Sequence, residues 1–207
     1  MRVRNHWWWR PGWQAGRLIY SWHITFGDDE AACAHASSYQ KALEPFDYLD
    51  LVPPSWLHLT TQDVFFVDEG SDEQLGGIVE GAQSRVGQIP SFEAMLNVPE
   101  VWGEGVVVRP DPAEPFVRIR DALRDAIGAV RGRDSVLGNP SGFRPHISLA
   151  YANGDGSGRD LETAMESVAI PPTPIQVDRV TLIRQERAGR LYRWDVVTTV
   201  SLLGGAR

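Results

Sequence analysis

Apolar positions along the chain fall into short runs whose spacing alternates between strand and helix periods. Residues 17–26 (RLIYSWHITF) are dense in β-branched and aromatic side chains and stop at Gly27-Asp28-Asp29, which predicts a strand ending in a turn. The Ala-rich stretch 31–43 predicts a helix that Asp28 or Asp29 can cap, with His35 on it. Pro53-Pro54 then introduces 55–67, a long strand-like segment containing WLHLTTQDVFFV. Residues 73–86 read as a second helix, and 92–96 and 105–108 as short strands. Within 115–130, apolar residues at 116, 117, 119, 123, 127 and 130 keep close to helical spacing, with charges between them. After the loop Asn139-Pro140-Ser141-Gly142, residues 143–151 (FRPHISLAY) predict a strand entered through Pro145. The Gly- and Asp-rich stretch 153–160 predicts a flexible connection to a short helix at 161–168. A closing hairpin is expected from 175–183, a turn containing Gly189, and 191–202. Strands and helices alternating in this way predict an α+β (α/β) class with helices covering sheet.

Residues 1–16 have no such period. They hold four of the eight Trp, with Pro11, Gly12 and Gly16, and are too apolar for a free tail. The expectation is an irregular arm packed on a single domain, 17–207, each Trp covering a large area. The alternative is that Trp7, Trp8 or Trp9 reaches the mouth of a site to stack on a base.

Composition narrows the class of partner. A chain of 207 residues, 43% hydrophobic, can bury a sizeable core without disulfides or metals. Cys33 has no second cysteine to pair with, and no apolar run approaches the ~18 residues of a membrane span. The start MRVRNHWWWRPGW lacks the aliphatic stretch of a secretory signal, so a soluble, cytoplasmic monomer is expected. A net charge of −7 argues against gripping long nucleic acid through many phosphates. A nucleotide or a single RNA end fits better than an extended groove, although a local basic pocket can sit in an acidic surface.

Two segments carry chemistry, PPSWLHLTTQ and GFRPHISLAY. Each follows a proline, reads as a strand, and holds His, one apolar residue, then Thr or Ser. Strand side chains alternate, so His58 and Thr60 share one face and Leu57, Leu59 and Thr61 the other. The same rule joins His146 with Ser148, opposite Ile147 and Leu149. Cleaving a phosphodiester without a metal needs one group to take a proton from the attacking oxygen and another to give one to the leaving oxygen. Histidine, with an ordinary pKa near ~6.5, can do either. The hydroxyls of Thr60 and Ser148 can donate to the non-bridging oxygens. A third match, His23-Ile24-Thr25, lacks the proline entry and is expected either to be a satisfied core histidine or to orient substrate. Further candidates are Arg144, on the His146 face, as a phosphate partner; Gln62, continuing the His58 face; Trp22, Trp56 and Tyr151 as a stacking wall; and Arg184 as a second phosphate partner.

On the two His-x-Thr/Ser motifs, His58-Leu59-Thr60 and His146-Ile147-Ser148, the chain resembles the 2H phosphoesterases, which include the 2′-5′ RNA ligase and cyclic phosphodiesterase proteins. The motif prolines and the closing hairpin fit that family, and HWWWRPGW and YSWHITF look like those of an actinobacterial branch. The resemblance implies two pseudo-symmetric lobes, each an antiparallel sheet with helices outside, facing one another across a cleft. It also implies cleavage of a 2′,3′-cyclic phosphate or a 2′-5′ diester, or the reverse ligation, with no metal or other cofactor. By family analogy His146 is the base and His58 the acid. Two other readings remain: a metal hydrolase held by His23, His58 and His146, without the H-E-x-x-H spacing such sites favour, and a module that binds nucleotides without turnover.

Overall fold

A computed structural model of the protein describes residues 1–205. Its framework is two four-stranded antiparallel sheets. The first has the order β13-β12-β2-β4, built from β2 (Ile19–Thr25), β4 (His58–Phe66), β12 (Arg179–Ala188) and β13 (Leu191–Ser201). The second has the order β3-β9-β7-β6, built from β3 (Leu49–Leu51), β6 (Glu100–Trp102), β7 (Gly105–Val108) and β9 (Ile147–Ala152). A smaller sheet joins β11 (Thr173–Val177), β5 (Phe92–Leu96) and β8 (Pro110–Asp111), and β1 (Arg2–Val3) pairs with β10 (Gly156–Ser157). The fold is α+β, as the alternating pattern predicts.

Helices α2 (Asp72–Val86) and α3 (Glu114–Arg131) pack together and back the first sheet, while α1 (Glu30–Leu43) and α4 (Gly158–Glu166) back the second. Local chemistry sets their ends. The Asp29 carboxylate accepts from the Ala32 N–H at 2.9 Å to start α1, and Ser71 with Gln74 forms a capping box on α2. Pro115 sits in the first turn of α3, and Gly132, at φ 86°, closes it. Tyr39 and Leu43 of α1, Ile78 and Val86 of α2, and Phe116, Ile119 and Leu123 of α3 face inward and are buried.

Several expectations change. Residues 175–183 are not one strand: the chain breaks at Asp178, so β11 pairs with β5 while β12 pairs with β2. Residues 143–146 are irregular, and β9 begins only at Ile147, because Pro145 has no N–H for a ladder. Residues 54–56 form a 3₁₀ turn, with β4 starting at His58. The stretch 153–160 contains β10 and the first turn of α4. β3, β6 and β8 are two or three residues long and carry no period to read.

Candidate active site

The two main sheets face each other across a cavity of about 470 Å³. β4 supplies His58, Thr60 and Asp63 to its wall, while β9 and the residue before it supply Ser148, Tyr151 and His146.

The two motif histidines are held in the same way. His58 Nδ1 lies 2.7 Å from the Trp56 carbonyl oxygen, and His146 Nδ1 lies 2.8 Å from that of Arg144. A carbonyl can only accept, so in each neutral ring Nδ1 carries the proton and Nε2 is left with a free lone pair. Each histidine thus takes its tautomer from the backbone two residues upstream, with no acid side chain involved.

Their surroundings differ. His58 is only 8% exposed; its ring lies flat on His23, centroids 4.4 Å apart and planes 7° from parallel, with the Trp194 ring edge-on at 4.9 Å. Burial pushes its pKa down to about 4, against the pull of the Trp56 hydrogen bond, and the charge of His146 adds to the depression. His146 is half-buried, with the Trp102 ring at 4.7 Å. Its pKa is also lowered, mainly by burial and further by the Arg144 guanidinium, with the Arg144 carbonyl hydrogen bond opposing.

Thr60 and Ser148 both face the cavity, and Thr60 Oγ1 lies 3.2 Å from His23 Nε2. His23 is wholly buried behind His58 and does not line the cavity, so it touches the site through His58 and Thr60 rather than through substrate. Tyr151 lines the wall, and burial raises its phenol pKa. Arg144 is exposed and is not part of the cavity lining; its guanidinium lies 4.6 Å from the Trp102 ring centre.

Four sequence candidates lie elsewhere. Trp22 is fully buried in the core, because alternation along β2 sends it to the face opposite His23. Gln62 is buried and committed: its amide donates to the carbonyls of Asp63 and Leu137, and its oxygen accepts from Arg124 at 3.1 Å. A bulge causes this. Thr61 is an extra residue in the pairing of β4 with β2, so the strand parity flips and Asp63 reaches the cavity in place of Gln62. Arg184 is exposed and paired with Asp195 at 2.9 Å, and its neighbour Gln185 faces the cavity instead. Trp56 is half-buried and packs edge-on against Trp194 at 4.6 Å.

The far end of the cavity is built from residues that no motif marks: His6, Arg10 and Trp13 of the arm, with Asp63, Glu104, Gln185 and Tyr192. His6 stacks on Tyr151 at 4.3 Å, and its nitrogens lie 3.0 Å from a Glu104 oxygen and 2.9 Å from the Tyr192 hydroxyl. Burial, then the charge of Arg10, lowers its pKa to about 4. Arg10 binds the same Glu104 oxygen at 2.5 Å. Of the three consecutive tryptophans, Trp7 packs on Tyr151 and Tyr192 and donates to Asp50 at 2.8 Å, while Trp8 and Trp9 are exposed and off the cavity wall.

The flat stack of His23 on His58 does not suit a three-histidine metal centre, because in-plane lone pairs of parallel rings do not converge on one ion. Among the described residues, no group of three His, Cys, Asp or Glu side chains is placed to hold a metal. No helix among them is long and apolar enough to cross a membrane.

A two-sheet fold with paired His-x-Thr/Ser segments across one cavity defines a class, and comparison with known proteins places the chain in it. The sequence profile of the 2′-5′ RNA ligase superfamily matches residues 28–189. The chain belongs to this superfamily, which makes it a 2H phosphoesterase-type enzyme. Comparison with curated proteins finds no match. Among solved structures, TT0787 of Thermus thermophilus superposes with a TM-score of 0.69 at 23% identity, over 92% of this chain and 100% of that one. E. coli LigT in complex with 3′-AMP superposes with a TM-score of 0.64 at 19% identity, over 90% and 98%. At such identities the likeness carries the 2H phosphoesterase fold.

Proposed function

We propose that the protein is a metal-independent phosphodiesterase acting on 2′,3′-cyclic phosphates or 2′-5′ diesters of nucleotides or RNA ends, with His58 and His146 as its acid–base pair. The observation that supports this most is the matched tautomer: both rings give up Nδ1–H to their own backbone and keep Nε2 free at the cavity. The nucleotide complexes of E. coli LigT, with 3′-AMP and with ATP, are in keeping with a nucleotide substrate.

His58, the more buried ring and depressed to about 4, is neutral over the whole working range and takes the proton from water as it attacks phosphorus. His146, half-buried, accepts a proton more readily and returns it to the departing 3′-oxygen as the P–O bond breaks, leaving a 2′-phosphate. Thr60 and Ser148 donate to the non-bridging oxygens. After one turnover His58 carries the proton and His146 has lost one, and exchange with water resets both. This order reverses the base and acid that family analogy suggests, and burial is the reason. With a 5′-hydroxyl in place of water as the attacking group, the same proton transfers join its oxygen to phosphorus as the 3′-oxygen leaves, and a 2′-5′ bond forms.

The test is hydrolysis of 2′,3′-cyclic nucleotides in a chelator by the parent, His58→Ala and His146→Ala. Turnover should persist in chelator and fall at least about a hundredfold in each variant. Loss of activity in chelator would move the chemistry to a metal; binding that survives both substitutions, with no turnover by the parent, would leave a binding module.

A further inference from the structure

At the end of the cavity away from His146, most polar groups answer one another. Glu104 is taken by Arg10, His6 and the Trp8 indole, and the Tyr192 hydroxyl by His6. Besides the Arg10 Nε–H, two groups are left over. Asp63 receives one neutral donor, the Ser21 hydroxyl at 2.8 Å on Oδ1, and makes no ion pair among the described residues; nothing there meets Oδ2. Gln185 is only 7% exposed, lines the cavity, and its carboxamide makes no side-chain hydrogen bond among the described residues; its oxygen is orphaned outright. A half-buried carboxylate with so few donors is costly: burial raises the Asp63 pKa, against the Ser21 hydrogen bond and the charge of Arg10. Such a pair fits a ligand that brings N–H groups of its own.

Asp63 follows Thr60 by three residues, one of them bulged out. That is roughly 7–10 Å along the strand, about the reach from the phosphate on a ribose to the far edge of its base. Tyr192, Tyr151 and Trp13 line the same end, one face of Tyr151 being covered by His6, and supply aromatic surface there. Resting on the phosphodiesterase reading for where the phosphate sits, we propose that Asp63 and Gln185 form a nucleobase subsite that selects guanine. Guanine alone among the RNA bases sets two kinds of N–H donor side by side on its pairing edge, N1–H and N2–H₂, matching the two oxygens of a carboxylate. The Gln185 amide can then donate to O6, its nitrogen and oxygen exchanging by a flip. Adenine presents an acceptor where guanine has N1–H, and so leaves Asp63 facing a lone pair.

The subsite is tested by binding, which needs no turnover. Calorimetry with guanosine and adenosine 2′-monophosphates should show the parent preferring guanine at least about tenfold, the discrimination expected of one two-point contact. In Asp63→Asn, which keeps an acceptor for Ser21 but replaces the other oxygen by a donor, the ratio should fall to near one. Equal affinities in the parent, or a preference unchanged in Asp63→Asn, would overturn the subsite. A guanine preference with no cleavage of any cyclic phosphate or 2′-5′ diester would overturn the phosphodiesterase reading and leave the subsite standing.

Discussion

His58 and His146 each donate Nδ1–H to the carbonyl two residues upstream, at 2.7 and 2.8 Å, yet one lies flat on His23 at 8% exposure while the other rests half-buried on Trp102 beside Arg144. The shared backbone bond sets which nitrogen is free; the unlike surroundings set how tightly that nitrogen holds a proton. A pair with equal geometry and unequal environment is what acid–base division of labour requires, since two identical imidazoles would compete for the same role.

If the pair works as a unit, the largest effect is also non-additive. Replacing either histidine by alanine should cost about a hundredfold or more in kcat, and replacing both should cost less than a further tenfold, as single-turnover rates would reveal. A smaller loss is expected behind His58. His23→Leu keeps an apolar plate under the ring but removes the partner of Thr60 Oγ1, 3.2 Å away. It and Thr60→Val should each lower kcat about tenfold, and the double variant should be no more than about threefold worse than either single one. Full additivity would mean that His23 does not act through Thr60.

The buried side of the comparison also has a cost in stability. His58 and His6, each held at about 4 in the folded chain against an ordinary value of 6.5, remain neutral while the unfolded chain protonates. The unfolded state therefore binds more protons below pH ~6.5, and stability falls as pH drops from there towards about 4. Melting temperature should be lower at pH 5 than at pH 7 by ~5 °C or more, measured by calorimetry. The smallest expected effect is at the exposed side. Arg144→Ala removes a positive charge that disfavours protonated His146, so the alkaline limb of the pH–rate profile should move to higher pH.

Alternation alone made the chemical core of the site legible: it joins His58 with Thr60 and His146 with Ser148, and all four line the cavity. Applied more strictly, it also separates Trp22 from His23, since adjacent strand residues cannot share a face; Trp22 is core. Gln62 was beyond its reach, because the bulge at Thr61 has no sequence mark and exchanges Gln62 for Asp63. Arg184 and Gln185 differ by one step of parity, and the charge on Arg184 meets Asp195 rather than a phosphate. The arm was the least readable region. His6 contacts Glu104 and Tyr192, 98 and 186 residues away, and contacts at that range leave no local pattern in an aperiodic, Trp-rich stretch. For the fold, the long periodic elements were legible within a few residues, whereas the break at Asp178 depends on which sheet each half joins.

The most direct test of the acid–base claim is the pH dependence of kcat/KM for a 2′,3′-cyclic nucleotide in the free-enzyme regime. The account predicts a bell on the acid side of neutrality: a rising limb near 4, where His58 loses its proton, and a falling limb below 6.5, where His146 loses the proton it must donate. A profile that is flat from pH 4 to 8, or that climbs through neutrality to a plateau, would contradict it.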